Sequence, residues 1–417
     1  MTALTYTLLF FSLYFEVFLL VSFLERKFYK HAGARSFYGT ADMPSVAIVV
    51  PSYNEERTIE STLKSLAVLD YPKGKLEILV VDDGSTDGTG KVACAFAAQA
   101  GAAVGQMPTH RLTILHKENG GKHTAMNLAL QHTNAELIGC LDADSVVAPD
   151  ALLNVVHVFR DERVSAVTPG IHVREPSTLL QHMQNVEYRI SIFSRFMLAT
   201  LGSVFITPGP FSVFRSSVVR ELGGWRYGHS TEDMEMALRM QLAGHLIANA
   251  PRAIVHTATP ANLRGLFRQR VRWTYGWLRN ALDYRSIIGN RKFGTLGLIV
   301  LPAALISILT IVFFFVRVLV YAVNDIAHGL NRIAVTGAVP PPHFDPFYID
   351  TSAMWLIVWV SVLLIIVFVT VGSFIGTGSR RPPIGTPLFI LFYGFLVPLW
   401  VSVALVRATF NTGVRWK

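Results

Sequence analysis

The chain has 417 residues, 51% of them hydrophobic, and a mean hydropathy of +0.41, which excludes an ordinary soluble enzyme. This length accommodates one large soluble domain together with several membrane segments. The net charge of +9 is compatible with nucleic-acid binding, but the basic residues cluster beside apolar segments. Attraction to anionic lipid explains them more simply, so no nucleic-acid partner is predicted.

The first predicted element is an apolar span, Ala3–Leu24, which is long enough to cross ~30 Å of hydrocarbon as a helix. Because Glu25 and two basic residues follow it and no small-residue cleavage site does, we predict a membrane anchor over residues 1–25. By the positive-inside tendency, the basic residues after this span place the next domain in the cytoplasm. These residues are Arg26, Lys27, Lys30 and Arg35.

Residues 45–258 form the predicted soluble domain. Val46–Val50 is a short continuous apolar run, which is typical of a buried parallel strand. Leu76–Val81, Arg111–Leu115 and Leu137–Leu141 repeat this pattern, with helical stretches between them. Strands that alternate with helices predict an α/β fold with a doubly wound parallel sheet. In such sheets ligands bind at the carboxyl ends of the strands, and the polar motifs of this chain lie there.

Two motifs follow the first two predicted strands, Pro51-Ser52-Tyr53-Asn54-Glu55 and Asp82-Asp83-Gly84-Ser85. A carboxylate in this position can accept a hydrogen bond from the ring N–H of a base, and Tyr53 could stack on that base. The structural alternative is an ordinary turn, because Asp-Gly is a frequent turn pair. These motifs therefore predict a base-binding site or two strand-end turns.

Gly120-Gly121-Lys122 combines a flexible turn with a cation that could neutralise a diphosphate. No Gly-x-x-x-x-Gly-Lys-Ser/Thr sequence is present, which disfavours a P-loop ATPase. Asp142-Ala143-Asp144 then puts two carboxylates directly after the fourth predicted strand. Hard oxygen ligands suit Mg²⁺ or Mn²⁺, which can bridge the phosphates of a nucleotide. A strand-end turn is again the structural alternative.

Thr231-Glu232-Asp233 opens a predicted helix, with Thr231 as its cap and the two acids at its positive end. Capping and the helix dipole account for these residue types without any chemistry. In the functional alternative, Asp233 takes a proton from an acceptor hydroxyl that attacks a sugar carbon.

Residues 259–292 predict amphipathic helices that lie in the membrane interface. Within them, Gln269, Arg272 and Trp273 share one helix face because they are three and four residues apart. Arg272 could bind phosphate and Trp273 could stack on an acceptor sugar. The structural alternative is an interfacial helix with an aromatic anchor.

Residues 293–417 contain three further candidate spans, Leu296–Val323, Ala353–Phe374 and Pro387–Val406. Arg380 and Arg381 fit a cytoplasmic connection, whereas Asn324–Asp350 reads as an outside loop. One N-terminal and three C-terminal spans put the C-terminus outside. The basic residues near the end prefer the inside, so that side stays open; they are Arg407, Arg415 and Lys417.

Together, these motifs resemble the family 2 glycosyltransferases, especially the membrane-bound synthases of hyaluronan, chitin, cellulose and poly-N-acetylglucosamine. The resemblance covers Ser45 to about Asn280 and the membrane layout. Each motif is common by itself, but five in this order are specific. The resemblance implies a GT-A (Rossmann-like) fold, a UDP-sugar donor, Mg²⁺ or Mn²⁺ as cofactor, and inversion at the anomeric carbon.

The resemblance also implies roles for individual residues. The donor nucleotide would be held by Pro51, Tyr53, Glu55, Asp82, Asp83, Lys122, Asp142, Gln269, Arg272 and Trp273. Asp144, with Asp142, would hold the metal, and Asp233, with Glu232 beside it, would be the catalytic base. Gly209, Pro210 and Trp273 would line the acceptor side.

Two departures from the family pattern bear on these expectations. Four spans are few for a wide polymer channel. His256-Thr257-Ala258-Thr259-Pro260 replaces an acidic stretch that several relatives have. His256 could reach the metal, but a packed strand-end histidine is the simpler interpretation.

The sequence therefore predicts a multi-pass enzyme of the plasma membrane, with a cytoplasmic catalytic domain that elongates and exports a β-linked polysaccharide. UDP-N-acetylglucosamine is the favoured donor and UDP-glucose the next. One alternative is the transfer of a single sugar to a lipid acceptor, and a second is an inactive membrane transporter or scaffold. Sugar, linkage, acceptor, oligomeric state and an accessory membrane subunit stay open.

Overall fold

The structure, a computed structural model, describes residues 2–27, 43–102, 111–337 and 353–413. Its strands are β1 (Val46–Ser52), β2 (Leu76–Asp82), β3 (Arg111–His116), β4 (Leu137–Cys140), β5 (Ser145–Val147), β6 (Val164–Val173), β7 (Val213–Arg215) and β8 (Leu246–Thr257). Its helices within the soluble part are α2 (Ile59–Ala67), α3 (Thr89–Ala102), α4 (Lys122–His132), α5 (Ala151–Val156), α6 (Leu179–Thr200), α7 (Ser216–Glu221), α8 (Glu232–Leu242) and α9 (Leu263–Asp283). The long apolar helices are α1 (Thr2–Lys27), α10 (Leu301–Thr336), α11 (Ala353–Thr377) and α13 (Gly394–Thr409), with the short α12 (Thr386–Leu388) before α13.

The strands form one eight-stranded sheet in the order β3-β2-β1-β4-β7-β6-β8-β5. The first four are parallel, as the sequence predicts. The prediction of a wholly parallel sheet is wrong for the other half, because β7 runs antiparallel to both of its neighbours and β5 runs antiparallel to β8. Strands of three residues, such as β5 and β7, carry too little periodicity to reveal their direction. The predicted α/β class is confirmed, with a mixed sheet.

The strand β1 shows why the continuous apolar runs become strands. Val46, Ile48 and Val50 face the cluster that includes α2 and α5, and Ala47 and Val49 face the cluster that includes α4, α7 and α8. All five are 0–1% exposed. Because alternate side chains point to opposite faces and helices cover both, every position along the strand must be apolar.

Within the described ranges, four helices are long and apolar enough to cross a membrane: Ala3–Glu25, Leu296–Thr336, Trp355–Thr377 and Thr386–Thr409. They lie at the four predicted positions, but the second continues well beyond Val323. The predicted outside loop is therefore helical from Asn324 to Thr336. The helix ends where Gly337 adopts a left-handed conformation, with φ of +65°, and its N–H bonds to the Ile333 carbonyl.

Several parts of the predicted topology concern residues outside the described ranges. They are Lys30, Arg35, residues 338–352, Arg415 and Lys417. The predicted sidedness of these residues stays a prediction.

The helix α6 lies between the sheet and the apolar helices. The rings of Phe193 in α6 and Phe368 in α11 stack with centroids 4.6 Å apart, and Phe23 of α1 meets Phe193 edge-on at 5.7 Å. Gly372 of α11 packs directly against the backbone of Arg189, where a Cβ would clash. Apolar side chains of α9 and α13, among them Tyr275 and Trp400, share one buried cluster. These two helices therefore connect the sheet to the apolar helices.

Candidate active site

A cavity of about 1090 Å³ opens at the carboxyl ends of β1 and β4 and continues between α10 and α13. This edge is where open α/β sheets bind ligands. The sequence-predicted residues that line it are Pro51, Tyr53, Glu55, Asp83, Lys122, Asp142, Asp144, Gly209, Pro210, Glu232, Asp233, Gln269, Arg272 and Trp273. Residues that are up to 222 positions apart in sequence thus converge on one space.

Asp82 is not part of the cavity lining. It is 8% exposed, and its Oδ1 accepts a hydrogen bond from the Ser85 N–H at 3.0 Å. Its Oδ2 lies 3.1 Å from His116 Nδ1. The carboxylate thus ties the end of β2 to the end of β3, and the structure does not bring it to the predicted nucleotide site.

Asp83 lines the cavity, but its carboxylate is already engaged by the loop before α4. It accepts hydrogen bonds from the N–H groups of Gly120 at 3.0 Å and Gly121 at 2.7 Å, and from Lys117 Nζ at 2.5 Å. A carboxylate has about four acceptor sites. Most of the capacity of Asp83 therefore goes into fixing the loop that delivers Lys122.

Lys122, the first residue of α4, is the central cation of the cavity. Its ammonium forms an ion pair with Asp142 and lies 3.5 Å from Glu232 Oε1. Burial alone would lower the pKa of this ammonium, but the two carboxylates raise it well above its usual value. Lys122 therefore stays charged, and it holds two anionic side chains together beside Gly209.

Asp144 lies at the same strand end with its carboxylate largely buried. Its Oδ1 accepts a hydrogen bond from Ser145 Oγ at 3.0 Å, and no Lys or Arg of the described ranges forms an ion pair with it. Burial, followed by the negative charges of Asp142 and Glu55, raises its pKa to about 6. Such crowding of hard oxygen ligands is relieved by a bound cation.

Asp144 and Asp142 offer hard oxygen atoms, the ligand type that Mg²⁺ and Mn²⁺ prefer. Among the described residues, no group of three or more His, Cys, Asp or Glu side chains could hold a metal ion. Mg²⁺ is usually bound through one or two carboxylates plus the phosphates of the substrate and water. Asp144 and Asp142 can supply the two carboxylates of such a site.

Asp233 is a largely buried carboxyl at the cavity with a raised pKa. Its carboxylate lines the cavity, while its main-chain carbonyl is held by the Thr207 hydroxyl at 2.7 Å. Burial, followed by repulsion from Glu232, raises its pKa to about 7. A carboxyl with a pKa near the working pH suits proton abstraction, and such shifts cluster at functional sites.

Thr231 occupies the predicted N-cap position of α8, but the predicted capping interaction is wrong. Its side chain makes no cap hydrogen bond. Instead, the Thr231 hydroxyl donates to the Gly228 carbonyl at 2.9 Å and accepts from Asn280 Nδ2 at 2.9 Å. The close approach of Gly276 to Thr231 leaves no space for a Cβ. Thr231 therefore fastens the start of α8, and with it Asp233, to α9.

The helix α9 presents Gln269, Arg272 and Trp273 to the cavity, as their spacing predicts. The Arg272 guanidinium is mostly buried, which lowers its pKa, whereas the charges of Glu232 and Asp233 act in the opposite direction. The side-chain oxygen of Gln269 is buried and has no hydrogen-bond partner within the described parts of the chain. Both side chains are thus suited to a polar ligand.

The helix α6 forms one wall of the cavity, which the sequence did not predict. Tyr188, Ser191 and Arg195 line the cavity from one face of this helix. Burial raises the pKa of Tyr188 to about 12 and lowers that of Arg195 to about 10. The spacing of these three residues at i, i+3 and i+7 places them on one helix face. A polar helix face usually contacts solvent, so this spacing alone does not indicate a ligand site.

His256 lies outside the cavity lining and packs against the neighbouring strand. It is in register with His172, and the two ring centroids are 5.6 Å apart. Burial lowers the pKa of both rings. The interpretation of His256 as a packed strand-end histidine agrees with this geometry.

Comparison with known proteins adds an independent observation. The family model described as "Glycosyltransferase like family 2" matches residues 44–276, which is more than half of the chain. The poly-beta-1,6-N-acetyl-D-glucosamine synthase of Staphylococcus epidermidis is 27% identical over 378 residues, covering 89% of this chain and 84% of that protein. The protein of the same name from Staphylococcus aureus (strain COL) is 30% identical over 255 residues, covering 60% and 59%.

Among solved structures, a mannosyltransferase from Pyrobaculum calidifontis in complex with GDP-Man and Mn²⁺ has a similar fold. It superimposes with a TM-score of 0.59, covers 97% of this chain and 99% of its own, and is 20% identical. The likeness extends over the apolar helices as well as the sheet, so the whole arrangement has a precedent.

Proposed function

Because this chain belongs to glycosyltransferase-like family 2, we propose that it is a membrane glycosyltransferase that elongates a β-linked polysaccharide from a UDP-sugar. The observation that carries the proposal is the cavity, in which Asp233 shares one space with Lys122, Arg272 and the Asp142/Asp144 pair. A base, two cations and a pair of metal-suited carboxylates are the groups that sugar transfer from a nucleotide diphosphate requires.

The donor would lie with its base at Tyr53 and Glu55 and its diphosphate toward Lys122 and Arg272. The two cations can neutralise the charge that grows on the diphosphate as it leaves. A divalent cation held by Asp144 and Asp142 would add further stabilisation of the leaving group.

Asp233 supplies the acid–base chemistry in this proposal. It accepts the proton of an acceptor hydroxyl while that oxygen forms a bond to the anomeric carbon of the donor. The bond between this carbon and the diphosphate oxygen breaks at the same time, and UDP leaves with the bonding electron pair. A single displacement from the opposite side inverts the configuration, so an α-linked donor yields a β-linked product.

The favoured donor is UDP-N-acetylglucosamine, with UDP-glucose next. Support comes from the relative in Staphylococcus epidermidis, whose name specifies a β-1,6-linked N-acetylglucosamine polymer and whose similarity covers 89% of this chain. The membrane-side extension of the cavity between α10 and α13 is consistent with a growing product that leaves through the membrane. We place the catalytic domain on the cytoplasmic side, where nucleotide sugars are available.

A second candidate is the transfer of one sugar to a lipid acceptor. Ala304, Ile308 and Val397 give the membrane end of the cavity an apolar wall, which suits a lipid chain as well. Product size separates the two candidates. A third candidate, an inactive transporter or scaffold, predicts no sugar transfer at all.

The test uses the full-length protein in nanodiscs with Mg²⁺ or Mn²⁺ and a panel of radiolabelled UDP-sugars. We expect a high-mass, glycosidase-sensitive ladder from one donor. Asp233→Asn should lower kcat by roughly 10²- to 10⁴-fold, the usual contribution of a general base. Asp70→Asn is the matched control, since Asp70 is exposed and lies outside the cavity. A single small product that extracts into organic solvent would assign a lipid acceptor instead, and unchanged turnover in Asp233→Asn would refute the base.

A further inference from the structure

Glu187 of α6 joins three structural elements at one carboxylate oxygen. Its Oε2 accepts a hydrogen bond from Arg270 Nη2 of α9 at 2.6 Å. The same oxygen accepts one from the Tyr393 hydroxyl at 2.6 Å, and Tyr393 lies just before α13. Arg270 is 5% exposed and Tyr393 is 3% exposed, so both donors are shielded from water, whereas the Glu187 side chain is 32% exposed and lines the cavity. Shielding strengthens a charge-assisted hydrogen bond and makes an unpaired group costly.

The guanidinium of Arg270 packs on the ring of Trp273. The guanidinium carbon lies 4.3 Å from the centroid of the Trp273 ring, within the range of a cation–π interaction. The two residues are three positions apart on α9 and share a helix face. Trp273 is 37% exposed and lines the cavity, and the Arg270 guanidinium links its ring to Glu187.

Tyr393 belongs to an aromatic group on the membrane side of the cavity. Its ring stacks on Phe389 with centroids 4.8 Å apart and meets Trp400 edge-on at 5.8 Å. Both Tyr393 and Trp400 line the cavity. Tyr393 closes a π-helical turn, Phe389–Tyr393, and such turns frequently mark functional sites.

From this connection we propose that Glu187 and Tyr393 are positioning residues that hold Trp273 in place to receive the ring of an acceptor sugar. The last apolar helix thereby sets how well the acceptor binds, and through it the length of the product. The inference rests on the proposed function, because it assigns the acceptor-binding step of that same reaction.

The competing explanation is a purely structural brace between α6, α9 and α13. A brace would affect folding stability and would weaken donor and acceptor use together. A positioning role raises the acceptor KM more than the donor KM, because Tyr53, Lys122 and Asp142 at the donor end make none of these contacts. The ratio of the two KM values therefore separates the explanations.

The variants remove single interactions and keep side-chain volume. Tyr393→Phe deletes only the hydroxyl, and Glu187→Gln removes the charge that holds Arg270. Tyr321→Phe is the matched control, because the Tyr321 hydroxyl also bonds to a charged group, Arg317 Nη2 at 2.8 Å, and lies on α10 away from the cavity.

The experiment uses full-length protein in nanodiscs with UDP-N-acetylglucosamine and a soluble β-1,6-linked N-acetylglucosamine pentasaccharide as the acceptor probe. In Tyr393→Phe we expect the acceptor KM to rise roughly three- to tenfold, the size of one hydrogen bond. The donor KM should stay within about twofold, the product ladder should shorten, and Glu187→Gln should change in the same direction.

An acceptor KM equal to the wild-type value in Tyr393→Phe, or a parallel rise in both KM values, would overturn the inference while leaving the proposed function intact. If the wild-type protein transfers no sugar from any donor, the proposed function itself fails. The wild-type and variant measurements thus test the two statements separately.

Discussion

At the residue scale, the pKa of Asp233 leads to a prediction about pH. A base must be deprotonated to act, and burial and Glu232 raise the pKa of this carboxyl to about 7. We therefore expect kcat/KM to rise with pH to a midpoint near 7 and to fall about tenfold per unit below it.

Glu232→Gln removes the negative charge beside Asp233 and should move the midpoint of this profile to lower pH. The measurement is a kcat/KM profile from about pH 5 to 9 in nanodiscs. A midpoint that stays fixed in Glu232→Gln would contradict this explanation of the shift.

Gly209 supports a second prediction at this scale. A Cβ there would clash with the Lys122 ammonium and lie 2.9 Å from Asp142 Oδ2. We expect Gly209→Ala to lower turnover by roughly 5- to 150-fold, because overpacking costs ~1–3 kcal/mol and would displace the charges of Lys122 and Asp142. Gly329→Ala is the control, since no atom lies within 4 Å of its added Cβ. Normal turnover in Gly209→Ala would mean that the Lys122–Asp142 pair is not needed in its observed place.

The sequence predicted the position of some acidic residues in the cavity but not of others. Asp142, Asp144 and Asp233 lie in the cavity because each directly follows or opens an element that the apolar pattern reveals. Asp82 and Asp83 look equivalent in sequence, yet hydrogen bonds that depend on β3 and the next loop separate their roles. Roles decided by such long-range partners are not encoded in local spacing.

At the element scale, the continuous apolar runs predicted the parallel strands β1 to β4. The strands β6 and β8, which also pair in parallel, were not predicted, and the three-residue strands β5 and β7 carried no readable pattern. The end of the helix α10 was also predicted wrongly. Asn324 and Asp325 suggest a loop, but the helix continues to the capping residue Gly337. The wall formed by α6 was missed because no motif marks it, and only the packing of α6 against the cavity gives Tyr188 and Arg195 a role.

The contact between α6 and α11 yields a prediction about stability. A Cβ at Gly372 would clash with the Arg189 carbonyl oxygen, so Gly372→Ala should force the two helices apart. Overpacking of about 1–3 kcal/mol should lower the thermal unfolding midpoint by roughly 2–10 °C. Thermal denaturation in nanodiscs checks this against Gly329→Ala, which should unfold at or above the wild-type midpoint. An unchanged midpoint in Gly372→Ala would mean that α11 is not closely packed on α6.

At the scale of the whole molecule, the packing of the apolar helices predicts sidedness. A Cβ at Gly385 would clash with the His182 backbone of α6, so the connection before α13 lies on the side of the catalytic domain. The test uses a Cys94→Ala background, in which the buried Cys140 is the remaining native cysteine. In this background we expect Ser379→Cys to remain unlabelled by a membrane-impermeant maleimide applied from outside. Asn411→Cys should react from outside, because α13 returns the chain across the bilayer. Labelling of Asn411→Cys only after permeabilisation would mean that this last helix does not cross.

The packing of α9 on α13 has a practical meaning for how this enzyme can be studied. Leu266, Val271 and Tyr275 of α9 are covered by Trp400 and Val401 of the last helix. A truncated protein without the apolar helices would expose this apolar surface of α9 to water. It would also lose the part of the cavity wall that α10 and α13 provide. The sheet that looks like a detachable soluble enzyme is therefore unsuited to expression alone, and screens for inhibitors or donors need the membrane-embedded form.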